Sequence, residues 1–411
     1  MKMYNSIICS YQKYNLESVE ILNKQKLINP KYWFVNKSIE SSVTKTFPDT
    51  LTHNYFDLVK GKLIDFPDNY SLNLDDHFLK KNAFHEFIVM NLLERNNSLS
   101  NSFNYHQRKE FYYRMLKYWY NVIKELDIQL IIFEEEPHQA SDYILYVIAK
   151  YIDIKTIIPI RTIPELGYLI TDNISEPEQV LKKVLESKYL SSHSISKNTK
   201  NYIDIIRGDF HKAFIKHLFD QKNELLGKIN YRQKIISILF KLPTYLKLIY
   251  YFESDQKEKN KSIYDSNLKF HKYILYKILL IKSKKRNSKY YQSLIDIIKP
   301  KEDKYVFFSL QYQPEKSTCP QGGYFVDQYL AIKLLSENVP SEWKIYVKEH
   351  PSQFVISYAR YGDHYRNKNF YDKIKKLKNV KFVSTSEDSY SLIDHCQFTA
   401  SVGGTVCFES I

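Results

Sequence analysis

Two short runs carry residue types able to hold a phosphate. Lys348-Glu349-His350-Pro351 closes an alternating, strand-like segment, and Ser401-Val402-Gly403-Gly404-Thr405 stands between a strand-like run and a helix start. An imidazole at the C-terminal end of a strand can donate to a phosphate oxygen and offset charge as a nucleotide leaves. Pro351 stops the strand and fixes the turn. Glycines between strand and helix let backbone N–H groups face an anion, and the Ser401 and Thr405 hydroxyls add donors. Taken singly, His350 is an ordinary loop histidine and Thr405 an ordinary N-cap. Together, one βαβ unit apart, they favour phosphate. Glu409, one helical turn past Thr405, can accept from ribose hydroxyls or face water.

The chain has 9 glycines, and four of them form the pairs Gly322-Gly323 and Gly403-Gly404. Where glycine is scarce, a pair marks backbone geometry or a close approach that a Cβ would obstruct. Gln311-Tyr312-Gln313-Pro314-Glu315 begins the polar loop that leads to the first pair. It reads as a ligand-facing loop, with Gln313 a candidate donor-side residue, or as a linker or lid without chemistry.

A second constellation is acidic. Glu134, Glu135 and Glu136 follow the apolar run Ile128–Phe133, with Pro137 and His138 next. Adjacent carboxylates repel, so at least one should hold a proton more readily than a free Glu, as a general base requires. The competing reading is a charged turn in which Pro137 opens a helix. Arg161, one strand over, can pair with these carboxylates or hold an anionic acceptor, and His138 stands beside them. His85, His106, His271 and His395 lie in helical patterns and read as structural; no metal-ligand cluster stands out.

These residues need strands to present them. Ser6–Tyr11 and Tyr32–Val35 read as strands, with helices over about 16–26, 82–95 and 106–126; residues 50–80 have no clear pattern. The last helix carries Phe111, Met115, Leu116, Trp119, Val122 and Ile123 at helical spacing. Asp127–Phe133 suits a central parallel strand buried on both faces. A helix over 140–152 and a strand over 156–160 follow. Residues 176–300 read as helical and charged. Within them, Lys269 to Lys289 is either a basic amphipathic helix resting on acidic lipid or a core-facing stripe with a solvated basic end. From Lys304 four β units with helical crossovers follow: strands at 305–310, 343–347, 379–383 and 397–402. The expected organisation is α/β, with Rossmann-like domains over 1–175 and 301–411 and a helical region over 176–300. Ile411 falls within the first turns of a helix, which reads as a fragment with its C-terminal domain incomplete.

The formal charge of +14 admits nucleic acid, an anionic membrane or an anionic substrate as partner. No basic-aromatic motif of a nucleic-acid module is present, which sets that partner aside. Cys9, Cys319, Cys396 and Cys407 lack CxxC spacing, and residues 1–12 lack the apolar core of a signal peptide. The expected place is the cytoplasm, including the inner face of the cytoplasmic membrane.

Phe308–Glu315, the Gly-Gly-x-Phe-x-Asp-Gln of 322–328, Val347–Pro351 and Ser401–Glu409 together resemble the bacterial capsule polysaccharide biosynthesis proteins, relatives of the Kdo-type capsule transferases. The resemblance covers about the last quarter of the chain. It implies a GT-B architecture, two Rossmann-like domains facing across a cleft, with a sugar nucleotide bound by the C-terminal one and the acceptor by the other. It implies that His350-Pro351 and Ser401 with Thr405 hold the nucleotide phosphate of a CMP-sugar, and that the Glu134–Glu136 run supplies the base. That family's acidic motif ends in Gly where this chain has Pro137. The implied activity is inverting, metal-independent and cofactor-free sugar transfer to a capsule polysaccharide or lipid-linked acceptor. A teichoic-acid-type polyol-phosphate transferase and a non-catalytic assembly scaffold share the same features.

Overall fold

A computed structural model describes residues 3–10, 12, 14–95, 104–161, 167–174, 179, 182–183, 186, 196–209, 270–355 and 365–410. The chain divides into two compact units, one on residues up to Tyr202 and the other chiefly on those from Asn267.

The first unit runs β1 (Tyr4–Cys9), α1 (Tyr14–Lys24), β2 (Ile28–Val35), α2 (Glu40–Thr46), β3 (Leu51–Asn54), α3 (Tyr55–Val59), α4 (Asp76–Arg95), α5 (Tyr105–Glu125), β4 (Leu130–Phe133), α6 (Ala140–Tyr151), β5 (Lys155–Arg161) and β6 (Tyr168–Thr171). Its sheet has the order β3-β2-β1-β4-β5-β6, parallel except for β6. The apolar run expected to be central forms β4, between β1 and β5. All six apolar positions predicted for α5 are buried. The unreadable stretch 50–80 contains β3 and α3. Strand β6 has no counterpart in the sequence reading: it pairs back antiparallel on β5 and is only four residues long, with Tyr168 and Ile170 exposed, so periodicity offered little to read. Ile8, Val19, Trp33, Val35 and Leu130 pack as one core, and the Trp33 indole donates to the Ser10 carbonyl at the end of β1 (2.8 Å).

Helix α7 (Lys197–Asp209) follows, and the remainder of the stretch up to Phe270 lies largely outside the described residues. The second unit contains α8 (Phe270–Ser293), β7 (Tyr305–Ser309), α9 (Gln328–Asn338), β8 (Lys344–Lys348), α10 (Lys368–Lys375), β9 (Val380–Val383), α11 (Ser389–His395), β10 (Phe398–Ala400) and α12 (Val406–Glu409). Its sheet is wholly parallel with the order β10-β7-β8-β9. Both faces are covered. Phe308, Ile345, Val347 and Phe382 pack in one layer, and Tyr305, Phe307, Tyr346 and Val383 in the other. The alternation read along β8 therefore sorts two buried faces, not a core face and a wet one.

In α8, Lys284, Asn287 and Tyr291 recur on one face and are buried, whereas Lys282, Lys285, Arg286 and Lys289 are exposed. Over this half of the helix the basic side chains are solvated and the buried face is largely polar, while Leu279 of the apolar run 278–281 is exposed and the side chains of residues 278 and 280 lie outside those described. The Tyr291 hydroxyl donates to the Val383 carbonyl (2.7 Å) and accepts from the Glu349 N–H (3.0 Å), which plugs the sheet where β8 and β9 end. No helix among the described residues is long and apolar enough to cross a membrane.

Candidate functional site

In each sheet the strand order reverses at one place, and in parallel sheets ligands bind outside the C-terminal strand ends at that reversal. In the second unit it lies between β7 and β10. Ala400 pairs with Phe308, so Ser309–Gln311 and Ser401–Gly404 leave the sheet side by side. The Gln311 Nε2 donates to Ser401 Oγ (2.7 Å), and that hydroxyl donates to the Gly403 carbonyl. Gly404 has φ +80°, and a Cβ there would lie 2.4 Å from Gln311 Oε1. A Cβ on Gly322 would meet the Thr318 carbonyl at 2.5 Å and Val402 at 2.8 Å, and one on Gly403 would meet Ser317. The close approach that the glycine pairs signalled is thus loop against loop: the β7 loop packs on the β10 turn. Thr405 begins the short α12 without a side-chain cap, and its hydroxyl donates to the Glu409 carboxylate.

On the other side of β7, His350 ends the β8 strand. Its Nδ1 accepts the Ser352 N–H (3.2 Å), so in the neutral ring the proton sits on Nε2. The Tyr312 ring stands 6.2 Å from the imidazole, centre to centre. Consecutive residues of the β7 loop therefore face opposite ways, Gln311 toward the Ser401 turn and Tyr312 toward His350.

Beneath this edge lies a buried polar network. Arg366 donates to Glu349 Oε2 (2.8 Å), to the Gln311 carbonyl (3.0 Å) and to the Gln313 side-chain oxygen. Glu349 also accepts from the His350 N–H (2.9 Å) and the Tyr371 hydroxyl (2.8 Å). Gln313, expected on the donor side, is buried and donates from its Nε2 to the Val326 carbonyl (2.7 Å); its place is within this network. Lys284 is buried as well and donates to the Gln353 carbonyl (2.8 Å).

In the first unit the order reverses between β1 and β4. Cys9 pairs with Phe133, and the Glu134 N–H donates to the Cys9 carbonyl (3.0 Å). A small pocket opens at this edge, lined by Cys9, Phe34, Tyr55, Phe133, Glu134, Glu135 and Asp142. Of the glutamate run, Glu134 and Glu135 line it, while Glu136 is buried. His138 Nδ1 lies 3.8 Å from the Glu135 carboxylate and 3.1 Å from the Glu136 carbonyl. Arg161 ends β5 in an exposed position, opposite Tyr168 of β6.

The carboxyl that its surroundings push upward is Asp142. Burial, reinforced by the Glu135 charge, raises it to about 7; the Gln139 and Tyr143 N–H groups and Arg95 pull the other way. Burial and the Asp142 charge likewise push the Cys9 thiol well above its usual range. Sequence reasoning missed Asp142 and Arg366. Asp142 sits in the first turn of α6, where Asp is common for helix reasons alone. The available signal was its neighbourhood, since Ala140–Ala149 are all buried and a helix apolar on every side surrounds whatever polar group it carries. Arg366 falls in a stretch read as helix, yet it precedes the Asn367 cap of α10.

No family model matches the chain, and no curated protein matches it. Among solved structures, the UDP-GlcNAc 2-epimerase from Methanocaldococcus jannaschii is similar at 11% identity and a TM-score of 0.21, covering 100% of this chain and 81% of that one. So loose a likeness carries no argument about activity. What stands on the strand orders themselves is an α/β protein with two Rossmann-like sheets.

Proposed function

We propose that this chain is an inverting, GT-B-type glycosyltransferase that passes a sugar from a nucleotide-activated donor, a CMP-sugar, to a growing capsule or other surface polysaccharide. The supporting observation is that three turns leave one parallel-sheet edge with the Gln311–Tyr312 loop between the other two, Gln311 bonded to Ser401 and Tyr312 beside His350. In this reading His350 Nε2–H and the backbone N–H groups of Gly404 and Thr405 take up charge on the departing nucleotide, a preorganised electrostatic effect, while the Gly403 N–H donates to Ser401 Oγ (3.3 Å) and shapes the turn. Ser401 and Glu409 complete the donor side, and Gln313 holds the loop from beneath. The Glu134–Glu136 edge, with His138 and Arg161, forms the acceptor side, where a carboxylate removes the acceptor proton. The exposed Lys282, Lys285, Arg286 and Lys289 offer peripheral contact with anionic lipid on the inner face of the cytoplasmic membrane.

The test is thermal-shift and transfer assays of this chain with CMP-sugars, UDP-sugars and CDP-glycerol, repeated for His350→Ala. The expected result is stabilisation by a CMP-sugar or CMP, and in the variant a loss of ~10-fold or more in nucleotide affinity, the size of one charge-assisted contact. Unchanged affinity and transfer in His350→Ala overturn the donor site. Turnover with CDP-glycerol alone selects the polyol-phosphate reading. Co-purification with assembly proteins and no nucleotide binding selects the scaffold.

A further inference from the structure

At the β1–β4 edge of the first unit, three carboxyls share the wall of one pocket: Glu134, Glu135 and Asp142. Among the carboxyls described there, Asp142 is the one both buried and lining the pocket; Glu134 is half-buried, Glu135 is exposed, and Glu136 is buried without lining it. Its position is held from three sides. The Gln139 N–H donates to Asp142 Oδ1 (2.8 Å), the Trp119 indole donates to the Ser141 carbonyl (3.0 Å), and β1 and α3 contribute Cys9 and Tyr55 to the pocket wall.

Building on the transferase reading above, we infer that Asp142, in the first turn of the helix that follows the glutamate run, is the group that takes the proton from the acceptor hydroxyl, and that its pocket admits a neutral, hydroxyl-bearing acceptor end. Phe34, Tyr55 and Phe133 put apolar surface on the wall that Asp142 shares, and a fixed carboxylate in such a place is a stronger base than one in solution. Glu134 and Glu135 on the same wall make the pocket negative, which disfavours an acid at that end of the acceptor. In the step itself the acceptor O–H bond breaks and its proton passes to Asp142. The oxygen forms a bond to the anomeric carbon, and the bond from that carbon to phosphate breaks with its electron pair leaving on the nucleotide. The groups that act on the Asp142 charge are Glu135 on the β4 loop, Arg95 on α4 and the Gln139 and Tyr143 N–H groups at the start of α6; Glu134, Cys9 on β1 and Tyr55 on α3 line the same pocket.

The experiment is kcat against pH for the native chain and for Asp142→Asn, which keeps the shape and the acceptor for the Gln139 N–H, alongside nucleotide Kd for both. The expected result is a native acid limb centred near pH 7, and in the variant a kcat loss of ~100-fold or more with nucleotide Kd unchanged. An active native chain whose Asn variant keeps kcat within ~3-fold overturns the assignment alone. If the Asn variant does not fold, the native profile decides, and an acid limb centred below pH 5 overturns it. A native chain that neither binds nucleotide nor transfers overturns the transferase reading and this assignment with it.

Discussion

Arg366 Nε stands 2.8 Å from Glu349 Oε2, with 1% and 0% of the two side chains exposed. Charges so deeply buried persist only when paired and fully hydrogen-bonded. Here the guanidinium also holds Gln311 and Gln313, and the carboxylate also holds the His350 N–H and Tyr371. One ion pair therefore fixes both the loop that packs on the Ser401 turn and the residue that carries the imidazole.

Removing one partner should unfold the second unit readily. Arg366→Ala leaves Glu349 charged, buried and without its cation, at a cost of about 3–5 kcal/mol. Replacing both, as Arg366→Met with Glu349→Leu, should recover most of that loss. Urea denaturation of the two variants measures the difference, and a single variant within 1 kcal/mol of native, roughly the scale of a surface pair, contradicts the account.

Asp142 should give stability a distinctive pH dependence. Folding raises its carboxyl from the ordinary 3.8 to about 7, so the folded chain holds that proton more tightly than the unfolded one. The resulting stabilisation is fully present below the ordinary value and is lost as pH rises through 7, by at most about 4 kcal/mol. In Asp142→Asn the decline between pH 4 and 7 should disappear. Melting temperatures across that window, compared between the two proteins, check it.

The glycines separate into necessary and dispensable. Gly404→Ala combines a left-handed backbone with a collision at Gln311, and Gly322→Ala collides with a backbone carbonyl. Each should lose about 1–3 kcal/mol. Gly167→Ala adds a methyl to open space and should change stability by less than about 0.5 kcal/mol. Equal effects at all three positions, read by denaturation, would refute the packing of the β7 loop on the β10 turn.

Ser401→Ala takes away the acceptor for the Gln311 amide and the donor to Gly403. A loss of about 1 kcal/mol is expected. Under the proposed function, nucleotide affinity should fall with it, since the turn loses both its anchor and a hydroxyl; isothermal titration with CMP reads this directly.

Sequence alone determined the parts that follow from short-range pattern. The apolar run before Glu134 pointed to an interior strand, the spacing of Phe111 to Ile123 to a buried helix face, and Pro351 and the paired glycines to a strand end and to close approaches of the backbone. Periodicity and backbone sterics act over a few residues, so they are written locally. Tertiary structure decided what each polar group faces. It sealed Gln313 under the loop, and it paired Arg366 with Glu349, 17 residues away. It put Lys284 in the interior, and it made Asp142 the carboxyl that burial raises. Desolvation and charge pairing depend on every atom within several ångströms, most of them from distant parts of the chain, and no window of sequence contains that information.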